Sequence, residues 1–416
     1  MSTTSKQILL VSYEFPPHMP TGGIGTYMYH LVLMLSSKGY SVTVFSATQK
    51  HTDVTVVKTN NYLNYLIPCS DILKFKDDAL QVFNEYIKAH HVDIIESPEV
   101  GACALRIKED YPLIPLIVRL HTPGVVITKI SNTYQSLVTK LRYVFGTLRR
   151  GKLDLGYWSK KDKNRMLDPE YKICILADQL VSPSHALADY ISPYWQLEKE
   201  IIILPNPFHA DSDLFKYPLE DREKLICFIG KLSVLKGMFT LTKAVKLFLK
   251  EHPDYRFVFV GRDESVSEII PSMKAWMEKE LKDVIEKVEF TGTLSREEVK
   301  ILLGRSRVCV VPSLWENYPN VILEAMAAGV AVAASNRGGI PELITNSTNG
   351  YLFNPLMPSE IVRAINKLLS SDEERFQITA AARYWLRSSQ LEVEQRSLEL
   401  YGSMLKKSTY APACSQ

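Results

Sequence analysis

The sequence predicts an α/β protein built of two doubly wound domains. Three observations point there. The chain has 416 residues, more than one hydrophobic core usually serves. Short β-rich runs alternate with helical patterns, which implies parallel sheets with crossover helices. The alternation also restarts after a proline-rich connector, Leu204-Pro205-Asn206-Pro207-Phe208, the kind of punctuation that separates domains.

In the first half the predicted strands are Ile8–Tyr13, Val42–Ser46, Val92–Glu96, Leu116–Leu120, Gln179–Ser182 and Ile201–Leu204. Several run into polar or turn residues: Glu96-Ser97-Pro98, His121-Thr122-Pro123, Ser182-Pro183-Ser184. The second series is Leu225–Gly230, Arg256–Gly261, Val288–Thr291, Val308–Pro312 and Val330–Ala334. These patterns divide the chain into domains at 1–205 and 206–385, with a polar helical segment, 386–416, packing back on the first. Sheets of this kind take ligands beyond the carboxyl ends of their strands, so two of them facing each other make a cleft.

Bulk properties narrow the class. Hydrophobic residues are 46% and charged residues 23% of the chain, ordinary for a globular protein. A net charge of +3 argues against a nucleic-acid partner. The six cysteines, Cys69, Cys103, Cys174, Cys227, Cys309 and Cys414, form no CxxC pair, which argues against zinc and disulfide frameworks and fits a cytoplasmic location. No apolar run approaches a spanning length, so any membrane contact is expected to be peripheral. The candidate surface is 129–165, where ten Lys and Arg meet two acids. That is +8, leaving −5 on the remainder. Val138, Leu141, Phe145 and Leu148 recur there at helical spacing. An insertion with solvated charges and a surface for anionic lipid or acceptor both fit.

Three motifs carry chemistry. After the first strand come Glu14-Phe15-Pro16-Pro17 and Gly22-Gly23-Ile24-Gly25, with a helical pattern after them. Glycines let backbone approach a ligand, and a helix N-terminus offers free amides to an anion. A dinucleotide fingerprint is a poor fit. The glycines lie well past the strand, and the second strand ends Phe45-Ser46-Ala47 without a ribose-binding acid. The second motif, Gly230-Lys231-Leu232-Ser233-Val234-Leu235-Lys236-Gly237, sets two lysines around a turn, where they can converge on one diphosphate. In the third, Pro312-Ser313 is followed by Leu314-Trp315-Glu316-Asn317-Tyr318-Pro319-Asn320, then by a helix carrying Glu324 and closed by Gly329. Carboxylates there can accept hydrogen bonds from vicinal hydroxyls. His121, directly after a strand, is the remaining candidate.

With these residues assembled, the chain resembles the retaining glycosyltransferases of family 4, which have the GT-B fold of two Rossmann-like domains with an interdomain cleft. Glu316 and Glu324 match that family's E-x7-E signature, Gly230 to Gly237 its basic turn and Gly22-Gly23 its N-terminal loop. Arg337-Gly338-Gly339-Ile340-Pro341-Glu342 matches its late glycine loop, and Leu204-Pro205-Asn206 its interdomain link. The resemblance implies that Gly23, Lys231 and Lys236 hold the donor diphosphate and that Glu324 binds the ribose. It places Glu316 and the loop Asn317, Tyr318, Pro319 and Asn320 on the donor sugar, with His121 near the sugar's C6 hydroxyl. Lys231 stands where many members have Arg, and Asn317 where many have Gly. It further implies a UDP- or GDP-sugar donor, a glycan, lipid-linked or small-molecule acceptor, and neither cofactor nor metal. Asp211-Ser212-Asp213 looks like a metal-binding DxD but falls in the connector and reads as a linker turn. A sugar-nucleotide epimerase or hydrolase of the same fold, and a sugar-nucleotide-binding regulator, are the alternatives.

Overall fold

A computed structural model of the chain describes residues 6–19, 22–134, 141, 144–145, 147–149, 151, 165–209, 213–220, 222–266 and 270–407. The chain divides into two units. One comprises Met1–Gly124, Asp162–His209 and Gln390–Gln416; the other comprises Val125–Lys161 and Ala210–Ser389.

The first unit is built on an eight-stranded sheet. Its strands are β1 (Gln7–Val11), β2 (Ser41–Thr48), β3 (Thr55–Lys58), β4 (Leu63–Pro68), β5 (Ile94–Pro98), β6 (Leu116–Arg119), β7 (Gln179–Ser182) and β8 (Ile201–Ile203). They lie in the order β3-β4-β2-β1-β5-β6-β7-β8, all parallel except the antiparallel pair β3–β4. Helices α1 (Gly23–Ser37), α2 (Ile72–Tyr86), α3 (Leu105–Asp110), α5 (Pro169–Leu176) and α6 (His185–Trp195) follow its strands in sequence, while α4 (Gly124–Tyr134) groups with the second unit from Val125 on. β5 is buried at every position, as a strand covered on both faces must be. The core joins Ile8, Leu10 and Ile94 of the sheet to Tyr27, Met28 and Leu31 of α1. β1 pairs with β2 on one side and β5 on the other. Its carboxyl end is therefore the topological switch point where such sheets take ligands.

The second unit has six parallel strands, β9 (Leu225–Ile229), β10 (Arg256–Val260), β11 (Val288–Gly292), β12 (Val308–Val311), β13 (Ala331–Ser335) and β14 (Tyr351–Phe353). Their order is β11-β10-β9-β12-β13-β14, so the switch point lies between β10 and β12 at the end of β9. Its helices are α7 (Met238–Glu251), α8 (Met273–Glu280), α9 (Arg296–Arg305), α10 (Asn320–Ala328) and α11 (Pro358–Leu369). α9 starts with a complete capping box between Ser295 and Glu298.

The last helix, α12 (Asp372–Lys407), begins in the second unit, and its latter part belongs to the first. Val393, Leu400, Tyr401 and Met404 join the first unit's core. The Tyr401 hydroxyl donates to the buried Glu96 carboxylate in the middle of β5, as does Tyr27. Arg119, fully buried, completes this cluster at 3.3 Å from Glu96 and donates to the Leu204 carbonyl at 2.8 Å. The hydrogen bonds matter as much as the charges, because two buried ions seldom repay their desolvation alone.

Three strands were not evident in the sequence. β3 is a short edge strand that alternates half-buried and exposed residues. β4 carries Asn64 in its interior, where the Ser46 hydroxyl satisfies the amide oxygen at 2.9 Å. β14 has three residues. The sequence also put the glycines before the first helix, whereas Gly23 and Gly25 lie in the first turn of α1.

Candidate functional site

In the second unit, three loops meet at the carboxyl ends of β9, β12 and β13. The first leaves β9 at Gly230 and enters α7 at Gly237, which has φ +74°. A Cβ on Gly237 would sit 2.1 Å from the Pro312 carbonyl oxygen, so only glycine fits both the conformation and the contact. The second loop, Pro312–Pro319, is zipped to the first by the Leu314 amide donating to the Leu235 carbonyl at 2.8 Å. Pro319 caps α10, and Gly329 closes it in the left-handed conformation.

Glu316 sits where these loops converge. Its carboxylate pairs with the Lys236 ammonium and accepts from the Ser313 hydroxyl at 2.9 Å. Its carbonyl accepts from the Gly339 amide at 2.8 Å, and a Cβ on Gly338 would lie 2.1 Å from that same oxygen. The late glycine loop thus fixes the Glu316 backbone while Ser313 and Lys236 fix its side chain. Asn317 is buried. Tyr318 is half-buried, and desolvation holds its phenol above the ordinary range. Asn320 opens α10. Glu324 lies one turn further on; burial raises its carboxyl, and the Arg296 charge at the start of α9 partly opposes the rise.

Lys231 is placed differently from Lys236. Its ammonium lies 3.5 Å from Glu264, a carboxylate that also pairs with Arg262 at 3.1 Å. The two motif lysines therefore have separate acidic partners, where the sequence suggested only their joint approach to phosphate. Glu264 was missed because it follows Gly261-Arg262-Asp263 in the loop after β10, where an alternation of charges reads as solvated surface.

In the first unit, Glu14 accepts from the Gly22 amide at 3.0 Å. A Cβ on Gly22 would lie 2.8 Å from that carboxylate, while the position of a Cβ on Gly23 meets nothing within 4 Å. His121 follows β6, its ring edge-on to Tyr27 at 5.0 Å. Desolvation, with the Arg119 charge, lowers its pKa to about 3, so the imidazole is neutral at physiological pH. The His121 amide donates to both oxygens of Glu99, at 2.9 and 2.8 Å. Glu170 accepts from the Gly124 amide at 2.7 Å. The sequence offered no signal for either glutamate beyond Glu99 lying just past a predicted strand end.

Other sequence candidates lie elsewhere. Of the basic positions in 129–165, Lys129, Arg149 and Arg165 are described. Lys140, Arg142, Arg150, Lys152, Lys160, Lys161 and Lys163 lie outside the described residues, as does Val138. Leu141, Phe145 and Leu148 are exposed. The sequence set this segment in the first domain; its described residues 129–134, in α4, group with the second unit. Asp211 and Ser212 are outside the described residues, and Asp213 pairs with Lys216 at 2.5 Å. A surface groove of about 600 Å³, lined by Leu247, Glu251, Val362 and Arg363 among others, shares no residue with the converging loops. Among the described residues, no His, Cys, Asp and Glu side chains gather as a metal-ligand group. None of the described helices is long and apolar enough to cross a membrane.

Comparison with known proteins places these motifs in context. Residues 210–385 match the family model described as Glycosyl transferases group 1, and residues 21–212 that described as Glycosyltransferase Family 4. The chain is 33% identical to Spore coat protein SA of Bacillus subtilis over 166 residues, which are 37% of this chain and 41% of that protein. It is 22% identical to the Glycogen synthase of Mycobacterium tuberculosis over 405 residues, 92% of this chain and 90% of that one. Sucrose-phosphate synthase from Thermosynechococcus elongatus shares the fold, with a TM-score of 0.74 at 17% identity over 97% of this chain and 99% of the other.

Proposed function

We propose that this chain, which belongs to the group 1, family 4 glycosyltransferases and has their GT-B fold, moves a sugar from a nucleotide-sugar donor to an acceptor hydroxyl. The observation that carries the proposal is the convergence of Lys236, Glu316 and the Gly338 loop at the switch point of the second sheet. Phosphate and sugar hydroxyls need opposite partners, a cation and a carboxylate. Both stand here on loops braced against each other.

In this reading Lys236, Lys231 and the N-terminal amides of α7 and α10 neutralise the leaving diphosphate, so no divalent metal is required. Glu324 takes the ribose hydroxyls, and Glu316 those of the sugar. His121 is the first unit's candidate for the sugar, as a neutral hydrogen-bonding group. Glu316 is engaged with Lys236 and Ser313 rather than poised as a nucleophile or general base, which favours a front-face reaction with retention of the anomeric configuration. The leaving phosphate then accepts the acceptor's proton. The acceptor is a glycan, a lipid-linked sugar or a small molecule.

Calorimetry with UDP, GDP and ADP tests the donor half. One charge-assisted contact to phosphate is worth ~1.5–3 kcal/mol, so Lys236→Ala should weaken the preferred diphosphate roughly ten- to a hundredfold. Unchanged affinity in a folded variant would remove Lys236 from the site.

A further inference from the structure

Glu99 and Glu170 have no part in the proposed transfer, yet they are tied to the loop that carries His121. Glu99 follows β5 and is fully buried. Both of its oxygens accept from the His121 amide, at 2.9 and 2.8 Å. Glu170, in the first turn of α5, spans two loops: one oxygen accepts from the Gly124 amide at 2.7 Å, the other from the Gly101 amide at 3.4 Å. Gly101 belongs to the turn that follows Glu99. Its φ is +74°, and a Cβ there would lie 2.6 Å from the Ile72 side chain, so that turn has little freedom to shift. The loop His121-Thr122-Pro123-Gly124 is therefore held at both ends by carboxylates from two different elements.

We infer that Glu99 and Glu170 are positioning residues, a paired carboxylate clamp that sets the His121 ring by gripping the backbone of its loop. The inference rests on the reading of His121 as a sugar-contacting group. Surface stability is a poor reason for two acids to sit this way. Glu99 pairs with no side-chain cation among the described residues, and the charge of its neighbour Glu170 opposes its ionisation. Carboxylates in such a place are costly unless their hydrogen bonds are used. The hydrogen bonds they make go to one short loop and to the turn beside it.

The cost is visible in the titration of Glu99. Desolvation and the Glu170 charge raise its pKa to about 8, while the His121 and Thr122 amides pull the other way. The other titratable groups around it are Cys174 on α5, whose thiol is raised by desolvation and by Glu99 itself, and Cys103 in its own turn, raised by desolvation to about 12. Arg119 bears on His121 from β6. Above pH 8 Glu99 is ionised beside Glu170, and the clamp strains.

The test uses the full chain with Glu99→Gln, Glu99→Ala and Glu170→Ala. Native-state hydrogen exchange should show the His121 and Gly124 amides protected in the wild type. The His121 amide should exchange at least tenfold faster in Glu99→Ala, and the Gly124 amide in Glu170→Ala, while β6 stays protected. Turnover of the nucleotide sugar should fall ten- to a hundredfold in Glu99→Ala, with nucleoside diphosphate affinity within twofold of wild type. Wild-type turnover should decline as pH rises through about 8; Glu99→Gln keeps an acceptor oxygen, so it should recover most of the turnover and lose that decline. Unchanged exchange at both amides overturns the clamp whether or not the protein turns over a sugar. So does a parallel loss of turnover and diphosphate affinity, or an identical alkaline decline in Glu99→Gln. Altered exchange in a protein that consumes no nucleotide sugar would instead leave the clamp standing and sink the proposed function.

Discussion

Gly338 offers a sharp test of how Glu316 is held. The residue has φ +61°, a conformation that costs alanine about 1 kcal/mol. The larger effect is steric. An added Cβ would lie 2.1 Å from the Glu316 carbonyl oxygen, 3.0 Å from its nitrogen and 3.1 Å from its carbonyl carbon. All three are backbone atoms, which cannot rotate away as a side-chain tip can. Relief requires the two loops to part by about 1 Å, and a shift of that size in a positioned group costs on the order of a hundredfold in rate. Gly338→Ala should therefore lower kcat about a hundredfold while circular dichroism and the melting transition report a folded protein. Gly39→Ala is the matched control. Its φ is +84° and nothing lies within 4 Å of its Cβ, so it carries the strain without the collision. If Gly338→Ala turns over as fast as Gly39→Ala, the late glycine loop does not position Glu316.

Other perturbations follow from the same geometry. Glu316→Gln removes the carboxylate that occupies Lys236. A half-buried ion pair of this kind competes with phosphate by ~1 kcal/mol, so calorimetry should find nucleoside diphosphate bound about fivefold more tightly while initial rates fall; weaker binding would contradict the pairing. Because Glu99 titrates near 8 in the fold and in the ordinary carboxyl range when unfolded, its stabilisation is fully present below that range and is lost as pH rises through about 8. Urea midpoints at pH 6 and pH 9 should differ less in Glu99→Gln than in wild type. His121 slopes the other way. Its folded pKa of about 3 gives stability that is present above its ordinary pKa and lost on acidification below it, so His121→Gln should flatten the acid side of the same curve. Arg222 is buried and donates to the carbonyls of Leu303, Gly304, Ser306, Pro218 and Ala328. Arg222→Ala leaves these short of a donor and should cost more than about 3 kcal/mol in chemical denaturation.

Much of the arrangement can be read from sequence because the strands of parallel sheets are short, apolar and end abruptly. Gln179–Ser182 is a strand in both readings, and Leu225, Arg256 and Val308 begin strands where the patterns begin. Strand ends in turn locate Lys236, Glu316 and His121. The edge strands β3 and β14 lack that signature, since one alternates and the other is too short to show a period. Contacts between distant segments are likewise silent in the sequence. A glutamate after a strand or in a first helical turn reads as a surface charge, so Glu99 and Glu170, which are 71 positions apart, give no hint that they hold one loop. The same holds for Gly338. Its pairing with Gly339 marks a turn, but the backbone contact with Glu316 that makes glycine necessary exists only in the fold.

The most direct measurement incubates the purified chain with UDP-, GDP- and ADP-sugars, with and without saccharide acceptors and in EDTA, and follows nucleoside diphosphate release and the anomeric NMR signal of any product. The account predicts release from one class of donor, stimulated by an acceptor, insensitive to chelation, abolished or strongly reduced in Lys236→Ala, and yielding a product of the donor's own anomeric configuration. Binding without release from any donor would contradict transfer. Release that requires a divalent metal would contradict charge neutralisation by Lys236, and a product of inverted configuration would contradict a Glu316 that stays off the anomeric carbon.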